Sequence, residues 1–188
     1  MPRPVSIVLV LAAVSLAAGC GSSSPPAPPA AAATPQSAEL DWEERSPETG
    51  PGLVFRVRRF AVTERGWEAD VEVSNRTGIP WEMGEDPVAV EQSFGIMLFA
   101  TGELDEVERR SRDGDLPGLR TAQEFDPELP ARLAAGSSWR GMISARGSLA
   151  AGRYVRVVFG PLIAVGDPPD EMPAQFVWIT DNAYRLRA

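Results

Sequence analysis

The chain has 188 residues, a formal net charge of −8 at pH 7, no histidine, and one cysteine, Cys20; all 18 of its basic residues are arginines. These counts exclude a Ser-His-Asp triad, an imidazole proton shuttle and a His-ligated zinc or copper site. Lysine Schiff bases and Ser–Lys hydrolysis are excluded as well, and no glycine-rich phosphate loop of the required spacing is present. An acidic body repels nucleic acid and anionic lipid at long range, so no nucleic-acid partner is expected. What survives is carboxylate chemistry, oxygen-ligated cations and plain binding; no cofactor is expected.

The N-terminus carries Arg3, then an apolar run from Val5 to Leu16 broken only by Ser6 and Ser15, then Ala17, Ala18 and Gly19. Basic, apolar and small residues in that order form a secretory signal. The run is too short to span a bilayer, which takes about 20 apolar residues. Leu16-Ala17-Ala18-Gly19-Cys20 resembles the lipobox of bacterial lipoproteins, with alanine at position 17 where leucine is usual. The resemblance implies cleavage before Cys20 and a diacylglyceryl group on its thiol, with palmitate-type chains. It also implies that residues 1–19 are a lipoprotein signal peptide. Two acyl chains hold a protein on a membrane where one binds only marginally. A lipidated Cys20 is unavailable as nucleophile, disulfide partner or cluster ligand. Gly21 follows the cysteine, and in bacteria with two membranes lipoproteins lacking Asp there usually move to the outer membrane. The expected location is extracytoplasmic, on the cell membrane or outer membrane.

Gly21 to Ala38 contains only Gly, Ser, Pro, Ala, Thr and Gln. A segment of that composition cannot bury a core and reads as a disordered, solvated tether. Residues 20–52 are thus read as lipidated cysteine, tether and lead-in, and 53–188 as one folded domain.

The domain reads as strands. Trp67 to Ser74 alternates apolar and polar residues, which places one face inward and one outward. Leu53 to Val62 alternates from Phe55 until Arg58-Arg59, where the phase slips by one and a bulge is expected. Glu64-Arg65-Gly66 joins the two as a hairpin. Phe94 to Phe99 is apolar on both faces and reads as an interior strand. Leu104 to Arg112 reads as a short charged helix or an irregular loop. Trp139 to Arg146, Arg153 to Phe159 and Phe176 to Thr180 complete the series, with Gly or Pro between most runs. Short strands so punctuated predict an all-β antiparallel β-sandwich or barrel. Val71-Glu72-Val73-Ser74-Asn75-Arg76-Thr77-Gly78 and Leu133-Ala134-Ala135-Gly136-Ser137-Ser138-Trp139 are similar to turns of small bacterial immunoglobulin-like lipoproteins of unknown function. That resemblance implies an immunoglobulin-like sandwich and no activity.

Candidate sites are sparse. Asp167-Pro168-Pro169-Asp170-Glu171 and Asp113-Gly114-Asp115 offer oxygen ligands, but neither matches a calcium-loop pattern, so both read as solvated loop charges. Among the five tryptophans, Trp67 and Trp139 fall on inward faces. Trp42 and Trp81 sit among polar or turn residues, where an indole either packs at an edge or stacks on a ligand. Trp81 with Glu82, Glu85, Asp167, Asp170 and Glu171 is therefore the candidate binding surface. Asn75-Arg76-Thr77 fits a glycosylation sequon but reads as a turn. The expected function is a non-enzymatic, lipid-anchored envelope protein that acts through contacts with a protein partner or with the envelope. A carbohydrate or small-ligand module built on Trp81 is the alternative, and a carboxylate hydrolase ranks third.

Overall fold

A computed structural model describes residues 31–83 and 94–188 of the chain; Cys20 and Glu85 lie outside the described residues. The elements are β1 (Gln36–Ser46), β2 (Leu53–Val62), β3 (Gly66–Asn75), β4 (Trp81–Glu82), β5 (Gly95–Phe99), α1 (Leu104–Asp113), β6 (Arg120–Thr121), β7 (Glu124–Asp126), β8 (Arg132–Leu133), β9 (Ser138–Arg146), β10 (Tyr154–Ala164), β11 (Gln175–Ile179) and β12 (Tyr184–Arg185). They form two antiparallel open sheets stacked as a sandwich. The first has the order β1-β2-β3-β9-β7. In the second, β10 is central, with β5 and β4 along one edge and β12 and β11 along the other.

The alternating strands lie where the sequence places them. In β3, Trp67, Ala69, Val71 and Val73 are buried, while Glu68, Asp70 and Glu72 between them face outward. The phase slip in β2 is a bulge: Val57 pairs with Val71 and Arg59 with Asp70, leaving Arg58 unmatched. Without that extra residue, Phe60 and Val62 would point to solvent, since a one-residue shift reverses every side chain. A second irregularity sits opposite Arg58 in β1, between Glu39 and Trp42, where Asp41 adopts φ 48°.

The core lies between the sheets. Phe55 of β2 packs on Phe159 of β10 at 5.0 Å and stacks on Trp178 of β11 at 5.5 Å. Phe94 meets Trp139 edge-on at 6.0 Å. Fully burying one such ring contributes roughly 1.5–3 kcal/mol. β5 is apolar on both faces for a reason: Ile96 joins this core, while Met97 and Phe99 form a second cluster with Val107 of α1 and Val158. α1 ends at Gly114, whose φ of 68° lets its N–H bond back to the Arg110 and Ser111 carbonyls.

The sheet begins earlier than the sequence reading places it. β1 covers Gln36–Ser46, within the stretch read as tether and lead-in, and Ala33 N–H already donates to the Leu149 carbonyl at 2.7 Å. β1 does alternate, but Gln36 and Glu44 stand among its inward positions, so it shows no continuous apolar stripe.

Candidate functional site

The turn after β3 is a hydrogen-bonded node. Asn75 is buried, and its amide nitrogen donates to the carbonyls of Ile79 (2.8 Å), Leu133 (3.1 Å) and Ala134 (3.0 Å). Its carbonyl oxygen accepts from the Thr77 N–H at 2.9 Å and the Thr77 hydroxyl at 2.7 Å. Thr77 Oγ1 in turn accepts from the Trp81 indole at 3.1 Å. The Asn75 N–H donates to Ser137 and its carbonyl accepts from Gly136. The two turn sequences singled out above therefore meet in space, each satisfying the other's backbone. Asn75 is an internal cross-brace with its amide fully engaged, in keeping with its reading as a turn residue.

Trp81 belongs to this node and to the core. It is 0 % exposed, which corrects its placement on a binding surface: no face of the indole is open to a ligand. Glu82 is half-buried and ion-paired to Arg132 at 2.8 Å across the β4–β8 pair. Asp167, Asp170 and Glu171 are exposed in the loop after β10, whose base touches the Trp81 strand through Val165 N–H and the Pro80 carbonyl. Among the described residues, the enclosed Trp81 indole and the exposed loop carboxylates share no open binding face. Nor does any group of three acidic or sulfur ligands gather there for a metal.

A second polar cluster joins the two sheets. Glu44 of β1 accepts from the Trp178 indole (2.7 Å), the Asp181 N–H (2.9 Å), the Asn182 N–H (3.0 Å) and the Asn182 amide (2.8 Å). Beneath the same loop, Arg156 is wholly buried and donates to the carbonyls of Thr180 (2.6 Å), Asp181 and Gly102 (2.8 Å). Its guanidinium lies 5.6 Å from the Phe99 ring centre, and its Nε has no partner among the described residues. Burial pulls the Arg156 pKa below its ordinary value, against the pull of the Asp181 and Glu44 charges. Burial, and then the Glu44 charge, push the Asp181 carboxyl upward. No sequence signal marks Glu44 or Arg156, because their partners lie far along the chain.

The outer face of the first sheet is ordered by register into charged rows. Glu43, Arg56, Glu72 and Arg140 are successive cross-strand partners on β1, β2, β3 and β9. Arg56 binds Glu43 at 2.6 Å and Glu72 at 2.7 Å, and Arg58 takes the other Glu72 oxygen at 2.7 Å. Burial alone would raise the Glu72 carboxyl; the bonds from Arg58 and Arg56 outweigh it and hold it below the ordinary range. The next row reads Glu39, Arg59, Asp70, Met142 and Asp126. Around Met142, which is 40 % exposed, lies a shallow depression of about 340 Å³ that Pro127, Asp126 and Arg140 help to line.

The fold and these clusters define an antiparallel two-sheet β protein whose internal polar groups brace the sandwich and whose open sheet face carries paired charges. In comparisons with known proteins, no family model, no curated protein and no solved structure matches the chain.

Proposed function

We propose that the protein is a non-enzymatic, lipid-anchored domain displayed outside the cytoplasm, where an immunoglobulin-like sandwich contacts a protein partner in the envelope. The observation that carries the reading is the Leu16–Cys20 box, with the chain's single cysteine, ahead of a domain already bonded to itself at Ala33. The immunoglobulin-like assignment draws support from the two stacked antiparallel sheets and from chain crossings between them after β3 and after β9. The lipid fixes the domain to a bilayer, and the chain between Cys20 and Ala31 limits its distance. Ten intervening residues reach at most about 35 Å when fully extended. The surface offered to a partner is the outer face of the first sheet, where Met142 stands exposed among charges fixed by register. With Trp81 enclosed, nothing favours the carbohydrate-module alternative.

Two measurements test this. Detergent phase partitioning should place the mature protein in the detergent phase and the Cys20→Ser protein in the aqueous phase; equal partitioning of both would remove the anchor. A photo-crosslinker at Met142 should give one reproducible protein adduct in intact envelopes, and one at the exposed Asp170 should not. No adduct from Met142 would remove the partner surface.

A further inference from the structure

The acidic net charge conceals a basic end. The hairpin between β2 and β3, the turn between β9 and β10 and the last residues of the chain are bonded together at one end of the sandwich. Gly147 N–H donates to the Arg65 carbonyl, Gly152 N–H to that of Leu186, and Leu186 N–H to that of Arg153. Arg146 pairs with Gly66 at the close of β9. The chain's lead-in joins the same end: Ala33 N–H donates to Leu149, Ala151 N–H to Ala31, and Thr34 N–H to Arg187.

Arg65, Arg146, Arg153, Arg185 and Arg187 are all exposed there. None has a carboxylate partner among the described residues; Arg56, Arg58, Arg109, Arg110, Arg132 and Arg140 each have one, while Arg45, Arg59, Arg76 and Arg112, spread over the rest of the domain, also have none there. Arg120 reaches the same turn, donating to the Ser148 carbonyl. The carboxylates nearby are Glu64 in the hairpin, Glu68 and Glu124 beside Arg65 and Arg146, and the exposed Glu103, which follows the Gly102 packed against the Tyr154 ring under Arg185. Arginines therefore predominate where the chain leaves for Cys20.

We propose that this arginine-bearing end binds the anionic headgroups of the bilayer that holds the lipid anchor, and so fixes the orientation of the domain. The inference rests on the lipid-anchored reading and adds to it a facing surface. A diacyl anchor is sufficient for attachment, so the arginines set orientation. Screening limits their reach to about 8 Å at physiological salt, and basic residues that close to an anionic leaflet are attracted to it. The acidic loop containing Asp167, Asp170 and Glu171, at the opposite end of β10, then faces away from the membrane, and the outer face of the first sheet stands clear for a partner.

The test uses the lipidated protein reconstituted into vesicles of phosphatidylcholine alone or with phosphatidylglycerol. One label is placed through Ser148→Cys and, separately, another through Asp170→Cys, and energy transfer to a headgroup acceptor is measured. Transfer from position 148 should rise when phosphatidylglycerol is present and fall back to the phosphatidylcholine value in about 1 M salt, where screening shortens to about 3 Å. Joint replacement of Arg65, Arg146, Arg153 and Arg187 by Ser should abolish the rise, and joint replacement by Lys should retain it. Equal transfer on both vesicles, or a larger rise from position 170, overturns the proposal. Failure of the anchor reads differently: the protein then does not float with phosphatidylcholine vesicles. In that event salt-reversible flotation with phosphatidylglycerol vesicles still supports the basic end, and its absence overturns it.

Discussion

Asn75 and Glu44 each gather several donors and acceptors into one side chain, but they do so over very different distances along the chain. Three of the groups bound by the Asn75 side chain belong to Thr77 and Ile79, and the other two are the facing carbonyls of Leu133 and Ala134. Every donor to Glu44 lies 134 to 138 positions further on, in β11 and the loop joining it to β12. Both braces join the two sheets: the first closes the turn after β3 and reaches β8 of the second sheet, and the second ties the leading strand of the first sheet to the far end of the chain. The difference decides what fails when each is removed. Losing Asn75 frees a buried set of backbone groups, whereas losing Glu44 frees a strand and a surface loop.

Mutations separate the two. Trp81→Ala removes the largest side chain of the Asn75 node and leaves a cavity, at a cost of about 3–5 kcal/mol. For a domain of this size that lowers the melting temperature by roughly 10 °C or more, measurable by calorimetry. Asn75→Ala leaves the Thr77 N–H and buried carbonyls without their partner and should cost about 3 kcal/mol in denaturant unfolding. Glu44→Gln turns one acceptor oxygen into a donor facing other donors. The expected loss is about 2 kcal/mol, with a red shift of Trp178 emission as its indole loses a fixed partner. If Glu44→Gln proves as damaging as Trp81→Ala, β1 is integral to the core and the two braces do not differ in kind.

The smallest effect has a defined sign. The Asp181 carboxyl is raised by burial and by Glu44, so the folded chain holds that proton more tightly than the unfolded chain does. Its neutral form therefore favours folding below the unfolded carboxylate pKa, and the advantage is lost as pH rises through the folded value. Asp181→Asn should stabilise the protein at neutral pH and make little difference in acid. Glu72 and Glu106 run the other way. Burial would raise the Glu106 carboxyl, but the Thr101 hydroxyl and N–H and Arg110 hold it low. Both carboxylates stabilise the fold above the unfolded value, and that contribution is lost as pH falls through their lowered pKa values. Melting temperatures of Asp181→Asn and wild type from pH 7 to acid should thus converge; divergence would refute the charge placement around Glu44.

The strands legible in the sequence were those whose inward positions are uniformly apolar. β3, β9 and the bulge at Arg58 follow directly from period-two alternation in residues a few places apart. β1 alternates as regularly, yet Gln36 binds Tyr184 and Arg187, and Glu44 binds the loop near Asn182. Its inward polar residues find partners near the other end of the chain, which local pattern cannot supply. Trp81 illustrates the reverse error. Pro80 and Glu82 make its surroundings look like a turn, but Thr77 takes its indole N–H and the fold encloses the ring. The basic end was hidden for the same reason as β1: Arg65, Arg146, Arg153 and Arg187 are scattered in sequence and meet only through turns and termini.

The anchored function stands or falls on the chemistry of Cys20. Mass spectrometry of the mature protein isolated from membranes should find a first peptide that begins at Cys20 and carries the mass of a diacylglyceryl group. A peptide bearing a free thiol at Cys20, or one that continues into the residues before it, would contradict the anchored reading outright.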